Sequence, residues 1–308
     1  MGEHAKILPE PGKGTAPRSG GVEGYVEVVL SPEVRENPPR PLPYPADGPP
    51  PRAGEEREPD RIDTAPQYTE ADAVRLNNMF RGSDTVEMLT VLLKENMLGD
   101  AAIVSSFGAE SAVLLHLISS IDPTVPVLFL ETGKHFPETI TYREELRERL
   151  GLTDLRNLTP DPAMLARKDQ TGLRWSYDPD GCCEIRKVLP LKAALAPFDA
   201  QFTGRKAFQS STRSALPRFE IEEGRLKVNP LADWDRARLD AYMAEYDLPA
   251  HPLVELGYPS IGCSPCTTKV APGEDPRSGR WKGWDKVECG IHTEVVLPDD
   301  NGANDPIF

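Results

Sequence analysis

Short apolar runs alternate with helical patterns along the middle of the chain, and this alternation limits the folds that the chain can adopt. The runs predict strands at 101–104, 125–130, 155–158 and 200–203, and the helical patterns fall at about 84–97, 112–118, 137–150 and 185–195. Parallel strands need long crossover connections, which are usually helices, so this order is typical of an α/β fold. We therefore expect a mainly parallel sheet that is flanked by helices.

The pattern changes after residue 214. Apolar and polar residues alternate over 219–221 and 226–228 on either side of Glu223-Gly224, which predicts a β-hairpin, and an amphipathic helix is expected at 236–246. Residues 1–66 are rich in proline and charge, so we expect a disordered extension in front of a folded domain of residues 67–308. We interpret the extension as a solubilising tail, with a docking motif as the alternative.

The charge and the hydropathy of the chain exclude some classes of function. A formal net charge of −14 argues against a general nucleic-acid binder, because such proteins usually present a basic surface. No apolar stretch reaches the length of a membrane helix, and proline and glycine follow the first residues where a signal peptide would have an apolar core. We therefore expect a cytoplasmic protein without a membrane partner, in a reducing compartment where structural disulfides are rare.

The turn between the first predicted strand and its helix runs from Ser105 to Ser111. Ligands of open parallel sheets bind beyond the carboxyl ends of the strands, which places this turn at the expected site. Gly108 lets the backbone approach a ligand, serine hydroxyls can donate to phosphate oxygens, and the helix N-terminus adds partial positive charge. The turn is not a Walker loop, since it lacks the Gly-Lys-Ser/Thr ending. Taken alone, it is equally compatible with an ordinary strand–helix turn capped by serine.

Basic residues form four clusters near predicted loops of this acidic chain. They are Arg186-Lys187, Arg205-Lys206, the segment that ends at Arg213, and Arg277 with Arg280. Arginine binds phosphate or sulfate through a rigid bidentate fork, and lysine binds them as a point charge. Any one of these residues could be a solvated surface charge, but four clusters near loops and cysteines favour an anion site.

The five cysteines divide into a group of four and a single one. Cys263 and Cys266 have the spacing of a metal knuckle, whereas Cys182 and Cys183 are adjacent. Structural zinc usually takes ligands that are separated by two to four residues. Adjacent thiolates suit an iron–sulfur cluster better, because each of them can bind a different iron. The group of four therefore favours a metal centre, with iron–sulfur ahead of zinc; buried free thiols or a redox disulfide are the alternatives.

The single cysteine is Cys289, in the motif Glu-Cys-Gly-Ile-His near the C-terminus. A nearby cation lowers the pKa of a thiol and makes it more reactive, and His292, Arg277 and Arg280 are candidates for that cation. Gly290 permits unusual backbone angles beside the thiol. The residues alone support two roles for Cys289 equally well, a reactive thiol and a small apolar side chain buried in the core.

Together these motifs resemble those of the assimilatory adenylyl-sulfate reductases, in the wider family that includes phosphoadenylyl-sulfate reductases. The matching stretches occur in family order over about residues 85–295. They are 105–111, 130–133, 182–187, 203–204, 209–213, 261–267, 279–281 and 288–292. The combination of a cysteine pair, a CxxC and an ECG-x-H motif is highly specific to this family.

The resemblance implies an adenine-nucleotide α-hydrolase-like fold of the PP-loop type, with a 4Fe–4S cluster on Cys182, Cys183, Cys263 and Cys266. It implies that Cys289, in a C-terminal segment of about residues 285–308, attacks the sulfur of adenylyl sulfate. A separate thioredoxin or glutaredoxin-type protein would then release sulfite. The substrate-binding residues that it implies are Ser105, Ser106, Phe107, Gly108, Leu130, Thr132, Lys187, Gly204, Arg213, Arg277, Arg280 and His292.

Some positions depart from the family pattern, and other functions compete with this one. Ser111 and Glu131 replace aspartates that are common in the family, and 204–209 is less basic than its usual counterpart. Phosphoadenylyl-sulfate reductases usually lack the four cluster cysteines, so their presence here favours adenylyl sulfate, and dual specificity is the alternative. A nucleotide-adenylating or tRNA-thiolating enzyme of the same fold, and a non-enzymatic iron–sulfur or zinc regulator, are the more distant alternatives.

Overall fold

The computed structural model describes residues 68–209 and 216–291, and these residues belong to one compact unit. The predicted extension 1–66, Arg213 and His292 lie outside the described residues. Within the described ranges no helix is both long and apolar enough to cross a membrane. The boundary between the extension and the domain of residues 67–308 stays a prediction.

In the part of the chain that the structure describes, six strands form one sheet, and the predicted α/β architecture is confirmed. The strands are β1 Ala101–Ser105, β2 Val127–Leu130, β3 Leu155–Leu158, β4 Ala200–Thr203, β5 Phe219–Glu222 and β6 Arg225–Val228. Their order is β3-β2-β1-β4-β6-β5, and all neighbours are parallel except β5 and β6, which form the predicted hairpin. The second strand begins at Val127 rather than at residue 125, since Pro126 has no N–H to donate to a ladder.

Eight α-helices lie in the described ranges. They are α1 Glu70–Met79, α2 Thr85–Lys94, α3 Ser111–Ser119, α4 Pro137–Arg149, α5 Pro162–Lys168, α6 Pro179–Cys183, α7 Leu189–Leu195 and α8 Arg236–Glu245. Sequence patterns do not predict α1 or α5. Helix α5 buries none of its residues, so it has no apolar stripe from which the helical period could be recognised.

The helix predicted at 185–195 begins earlier and is less regular than expected. Helix α6 leads into a π-helical turn, Glu184–Val188, which leads into α7. The Asp178 carboxylate caps the start of α6 by accepting from the N–H of Gly181 at 2.8 Å. π-helical turns are rare and concentrate at functional sites, and this one begins directly after the cysteine pair and carries Lys187.

The two faces of the sheet bury different side chains, because successive residues of a strand point to opposite faces. Ile103, Val127 and Phe129 face a large core that includes buried residues of α2, α3 and α4. On the other face a smaller cluster contains Ala102, Val104, Leu128, Leu130, Leu191 and Leu195. Full burial of one leucine or phenylalanine contributes about 1.5–3 kcal/mol, so both clusters hold the strand ends firmly in place.

Candidate active site

A cavity of about 600 Å³ lies beyond the carboxyl ends of β1, β2 and β4. It is at the edge of the sheet where the sequence predicts ligand binding. The predicted site residues that line it are Ser105, Ser106, Gly108, Leu130, Lys187, Gly204, Arg277, Arg280 and Cys289. Residues that are more than 180 positions apart in the sequence, such as Ser105 and Cys289, therefore meet at one edge of the sheet.

The turn after β1 is anchored by Phe107, whose side chain is fully buried in the core instead of lining the cavity. Its ring packs edge-on against Phe129 at a centroid distance of 5.4 Å. Its backbone has a φ of +47°, and its N–H donates to the Ser105 hydroxyl at 3.2 Å. This left-handed conformation is uncommon for a bulky residue, so the core packing of the ring fixes the shape of the turn.

The loop after β2 connects the cavity to the cysteines. Leu130 lines the cavity, but Thr132 is fully buried and its hydroxyl lies 3.3 Å from the Cys263 sulfur. The carbonyl of Lys134 accepts from the N–H of Ser264 at 2.8 Å, within the CxxC turn. Thr132 is thus placed beside a cysteine, and not on the cavity wall where the resemblance implies a substrate contact.

Arg186 links the π-helical turn after the cysteine pair to Asp169 at the end of α5 and to the loop after β2. Arg186 and Asp169 form this pair at 2.6 Å, with side chains that are 8% and 0% exposed. Arg186 also donates to the carbonyl of Thr132 at 2.7 Å. Burial alone would raise the pKa of Asp169, but the hydrogen bond from Arg186 and its charge lower it on balance. Arg186 therefore has a structural partner, and only Lys187 of this basic cluster faces the cavity.

The four cysteines of the predicted metal centre are all free thiols, and three of them are buried. Burial raises the pKa of both Cys182 and Cys183 to about 11, and the charge of neighbouring cysteines adds to this effect. Burial acts in the same direction on Cys263, but Lys187 and the Thr132 hydroxyl outweigh it and lower the pKa of that thiol. In the described ranges no three His, Cys, Asp or Glu side chains are arranged to hold a single metal ion.

Lys187 interacts electrostatically with the group of four cysteines and with the fifth one. Burial alone would lower the pKa of its ammonium group, but the charges of Cys263, Cys289 and Cys183 raise it on balance. One lysine is thus within electrostatic reach of the predicted metal centre and of the predicted nucleophile. The sequence places it four residues after Cys183, but its proximity to Cys289 depends on the fold.

Arg280 is a second cation beside Cys289, and Gly262 makes room for it. A Cβ atom at Gly262 would lie 2.2 Å from the Arg280 Nη2 atom. The guanidinium stacks over the Trp281 ring at 4.5 Å, and its buried Nε has no hydrogen-bond acceptor among the described residues. Cys289 is among the groups that interact electrostatically with Arg280. The site therefore holds an oriented cation with a donor that is available to an anion.

The segment that carries Cys289 is fixed by contacts on both sides. Arg277 donates to the carbonyl of Val287 at 2.7 Å and to the Glu288 carboxylate at 3.3 Å. Ile291 packs against the smaller apolar cluster of the sheet. Cys289 itself is half-buried and lines the cavity. These contacts hold the thiol at the cavity wall, so it is close to any anion that Lys187 and Arg280 bind.

Lys286 adds a third attachment, since its ammonium group forms an ion pair with Asp180 of α6. The Lys286 side chain is only 7% exposed, and its charge also lies 5.5 Å from the centre of the Trp281 ring. The segment that carries Cys289 is therefore attached to the same helix that carries the cysteine pair. The sequence offers no signal for this contact, because the two residues are 106 positions apart.

A second charged group lines the cavity at the turns after β1 and β4. Glu110 forms ion pairs with Lys206 and with Arg236, and all three residues line the cavity. Arg205, which also lines the cavity, pairs with Glu220 of β5. Sequence patterns point to Lys206 as a basic residue but miss Glu110 and Arg236. The position of Glu110 in a turn after a parallel strand is the signal that could have identified it.

Comparison with known proteins gives concordant matches. The family model of the phosphoadenosine phosphosulfate reductase domain matches residues 100–269. The adenosine 5'-phosphosulfate reductase of Mesorhizobium japonicum is 49% identical over 243 residues, which cover 78% of this chain and 96% of that protein. The protein of the same name from Chelativorans sp. is 53% identical over 205 residues, which cover 67% and 84%. The crystal structure of phosphoadenylyl-sulfate reductase from Candida auris, a phosphate complex, has a TM-score of 0.55 and 27% identity, and covers 66% of this chain and 98% of that chain.

Proposed function

The chain belongs to the phosphoadenosine phosphosulfate reductase domain family, and from that premise we propose that it reduces adenylyl sulfate to sulfite and AMP in sulfate assimilation. The observation that carries the proposal is the placement of Cys289 on a nucleotide-sized cavity together with Lys187 and Arg280. The two cations provide an anion site beside a thiol, which is the arrangement that attack on a sulfate group requires.

The first step is transfer of the sulfonate group to Cys289. The thiolate attacks the sulfur atom of adenylyl sulfate, a bond forms between the two sulfurs, and the bond from sulfur to the bridging oxygen breaks. AMP leaves with the electron pair of that bond. Lys187 and Arg280 bind the sulfate oxygens, and Arg277 supports the segment that carries the thiol. The product on the enzyme is a thiosulfonate, Cys289–S–SO₃⁻.

The second step needs two electrons, and a separate dithiol protein of the thioredoxin or glutaredoxin type supplies them. One thiolate of the partner attacks the Cys289 sulfur and displaces sulfite, which leaves a mixed disulfide. The second thiol of the partner resolves it, so the partner becomes a disulfide and Cys289 returns to the thiol form. The reaction therefore balances without any other reductant. We expect it to take place in the cytoplasm, where such dithiols are kept reduced.

Cys182, Cys183, Cys263 and Cys266 would hold a 4Fe–4S cluster. Their chemistry supports this assignment, since four buried or half-buried free thiols lie within electrostatic reach of one another and beside Lys187. Thiolates that lie out of water are unfavourable unless metal or cations compensate them. When bound, the cluster would supply a fixed charge next to the anion site.

The other predicted site residues take roles according to their place on the cavity. Ser105, Ser106 and Gly108 would bind the phosphate side of the nucleotide through hydroxyls and backbone amides. Leu130 and Gly204 would contact the nucleoside, and Arg213 and His292 complete the set that the family resemblance implies. Thr132 would act on the metal centre instead, because its hydroxyl is directed at Cys263.

The proposal is tested with anaerobically purified protein that is incubated with adenylyl sulfate in the absence of reductant. We expect a mass increase of one sulfonate group on Cys289 and release of AMP, followed by release of sulfite when reduced thioredoxin is added. Cys289→Ser should abolish the adduct and sulfite release while it leaves the iron content and the visible absorption unchanged. Loss of iron in this variant would instead favour a five-cysteine metal protein with a regulatory role.

The substrate preference is measured in the same assay with both nucleotides. Phosphoadenylyl-sulfate reductase is the alternative function, because the Candida auris structure carries that name. A higher kcat/KM for phosphoadenylyl sulfate than for adenylyl sulfate would establish that alternative.

A further inference from the structure

Trp281 lies at the wall of the cavity, and two cations lie over its indole ring. The side chain is only 3% exposed, and it lines the cavity together with Cys289. The Arg280 guanidinium lies 4.5 Å from the ring centre, and the Lys286 ammonium group lies 5.5 Å from it. A cation within about 6 Å of the centre of a tryptophan ring is attracted to the negative face of the ring, most strongly where water is excluded. The ring therefore restrains both cations.

The backbone of Trp281 has a conformation that a bulky residue rarely adopts. Its φ is +47°, in the left-handed region. Its N–H donates to the carbonyl of Cys266 at 3.0 Å, and its carbonyl accepts from the N–H of Trp284 at 2.9 Å. The preceding residue, Arg280, forms an isolated antiparallel bridge with Thr267. Such backbone strain persists only where surrounding contacts fix it, and it concentrates at functional sites. The direction of the ring is thus set by the CxxC turn.

The two cations on the ring contact different parts of the site. Arg280 interacts electrostatically with Cys289 and is one of the two cations that would bind the sulfate. Lys286 pairs with Asp180, so it attaches the segment that carries Cys289 to α6. Cysteine thiolates compensate the charge of Arg280 and Asp180 compensates that of Lys286, so two like charges can share one ring. The ring therefore relates the anion site to the position of the thiol.

Building on the proposed function, we propose that Trp281 is a positioning residue that aligns the sulfate of the substrate with the Cys289 thiol. Its ring orients the Arg280 guanidinium, which binds the sulfate, and restrains Lys286, which fixes the segment of the thiol. Attack on sulfur requires the thiolate to approach in the right direction, and a displacement of about 1 Å can slow such a step by about a hundredfold. Trp281 acts through the two cations and not on the reacting atoms.

The first test compares two alkylating reagents on Cys289 in the anaerobically purified full chain. Iodoacetate is an anion and iodoacetamide is neutral, so the ratio of their rate constants at Cys289, measured by peptide mass spectrometry, reports the cations beside the thiol. The thiolate fraction cancels in this ratio. We expect Trp281→Leu to lower the ratio by about fivefold, and Trp281→Phe, which keeps an aromatic face, to lower it by less than about twofold. A loss of packing alone would affect both reagents equally.

The matched control is Trp284→Leu. Trp284 belongs to the same turn and is 43% exposed, but no cation lies over its ring in the described part of the chain. This variant should change the ratio of the rate constants by less than about 1.5-fold. An unchanged ratio in a folded Trp281→Leu would overturn the proposal, and so would an equal fall in Trp284→Leu.

An isosteric replacement keeps the proposal testable if Trp281→Leu does not fold. Tryptophans that carry one, two or three fluorine atoms can be incorporated biosynthetically; fluorine withdraws negative charge from the ring face and leaves its shape nearly unchanged. The ratio of the rate constants should fall with each added fluorine, by about threefold in total, and this fall should disappear in the Trp281→Phe background. A ratio that does not depend on the fluorine content would overturn the proposal.

The second test measures adduct formation on Cys289 at several concentrations of adenylyl sulfate in a single turnover. Trp281→Leu should lower the limiting rate by about twentyfold, and Lys286→Met should slow it no further in that background. An unchanged limiting rate in Trp281→Leu, or a full additional effect of Lys286→Met, would overturn the proposal. The alkylation ratio needs no substrate, so a wild-type protein that forms no adduct would refute the proposed function, whereas an unchanged ratio would refute the role of Trp281.

Discussion

Gly262 provides a direct test of the position of Arg280, because the guanidinium occupies the space that a side chain at residue 262 would need. A Cβ atom there would lie 2.2 Å from Nη2 and 2.6 Å from the central carbon of the guanidinium. Arg280 must therefore retreat by about 1.2 Å before Nη2 reaches ordinary van der Waals contact at 3.4 Å. The backbone of Gly262 is not in the left-handed region, so alanine brings no backbone strain.

We expect Gly262→Ala to lower the rate of adduct formation on Cys289 by about a hundredfold, since a displacement of about 1 Å in a positioning group can have an effect of that size. The clash involves the end of a flexible side chain, so the melting temperature should change little. The measurement is a single-turnover assay of sulfonate transfer, followed by mass spectrometry. Iron content is measured in parallel, because Gly262 is adjacent to Cys263.

A double-mutant comparison separates the guanidinium from other effects of the alanine. In an Arg280→Lys background the shorter and narrower side chain leaves less to displace, so Gly262→Ala should have a much smaller further effect. Our reasoning would be refuted by a rate within about threefold of wild type for Gly262→Ala. It would also be refuted by an equal loss in the wild-type and Arg280→Lys backgrounds.

Three further predictions concern the segment that carries Cys289, the buried ion pair of Arg186 and the proposed metal centre. Lys286→Met removes the ion pair with Asp180 and should slow adduct formation by about two- to fivefold, which is the range expected for a partly exposed ion pair. Asp180→Asn should slow adduct formation by the same factor, and the double variant should be no slower than either single variant. Asp169→Asn breaks the buried pair with Arg186 and should reduce the free energy of unfolding by about 3–5 kcal/mol, measured in urea at pH 7. The pKa of Asp169 is lowered from 3.8, so its contribution to the free energy of unfolding is complete above about pH 4 and is lost as pH falls further. The Asp169→Asn variant should therefore lose stability less steeply in acid than the wild-type protein. An equally steep loss in both proteins would contradict a stabilising role for the ionised Asp169 carboxylate. The oxidation state of the proposed 4Fe–4S cluster should stay constant during turnover in a spectroscopic titration, and a change in step with sulfite release would exclude a purely electrostatic role.

Local sequence patterns predict the sheet well because each strand is a short apolar run that ends in polar turns. The four parallel strands predicted at 101–203 and the hairpin after residue 214 are confirmed within two residues. The rule that ligands bind beyond parallel strands then leads to the cavity, which Ser105, Lys187, Gly204 and Cys289 line. These successes depend on periodicity, which is encoded within about ten residues of each position, and on the general rule that parallel strands present one common edge to ligands.

The parts that sequence patterns miss depend on contacts between distant residues. The Glu110 carboxylate meets Lys206 and Arg236, which are 96 and 126 positions away. Phe107 follows two serines in a turn, and nothing local indicates that its ring enters the core while its neighbours line the cavity. The π-helical turn before α7 also depends on packing, since its residues have ordinary helical propensity. A single sequence does not contain the pairing information that would identify such contacts.

The position of Lys187 offers a reason why an enzyme that takes its electrons from a separate protein would still hold a metal cluster. In the proposed reaction the two electrons that release sulfite would come from the dithiol partner, so its electron balance would be complete without the four-cysteine set. That set nevertheless lies next to Lys187, and the charge of Cys263 is the largest influence that raises the pKa of its ammonium group. A cation that is partly neutralised by thiolates on one side attracts a sulfate less strongly than an isolated cation would. The negative charge on the cysteine side would therefore limit how tightly the ground-state sulfate is held while leaving the ammonium group fixed and protonated. Catalysis gains only from interactions that are stronger in the transition state than in the ground state. A cation next to Cys289 whose attraction for the ground-state sulfate is reduced would therefore favour the reaction more than a cation that binds this sulfate tightly.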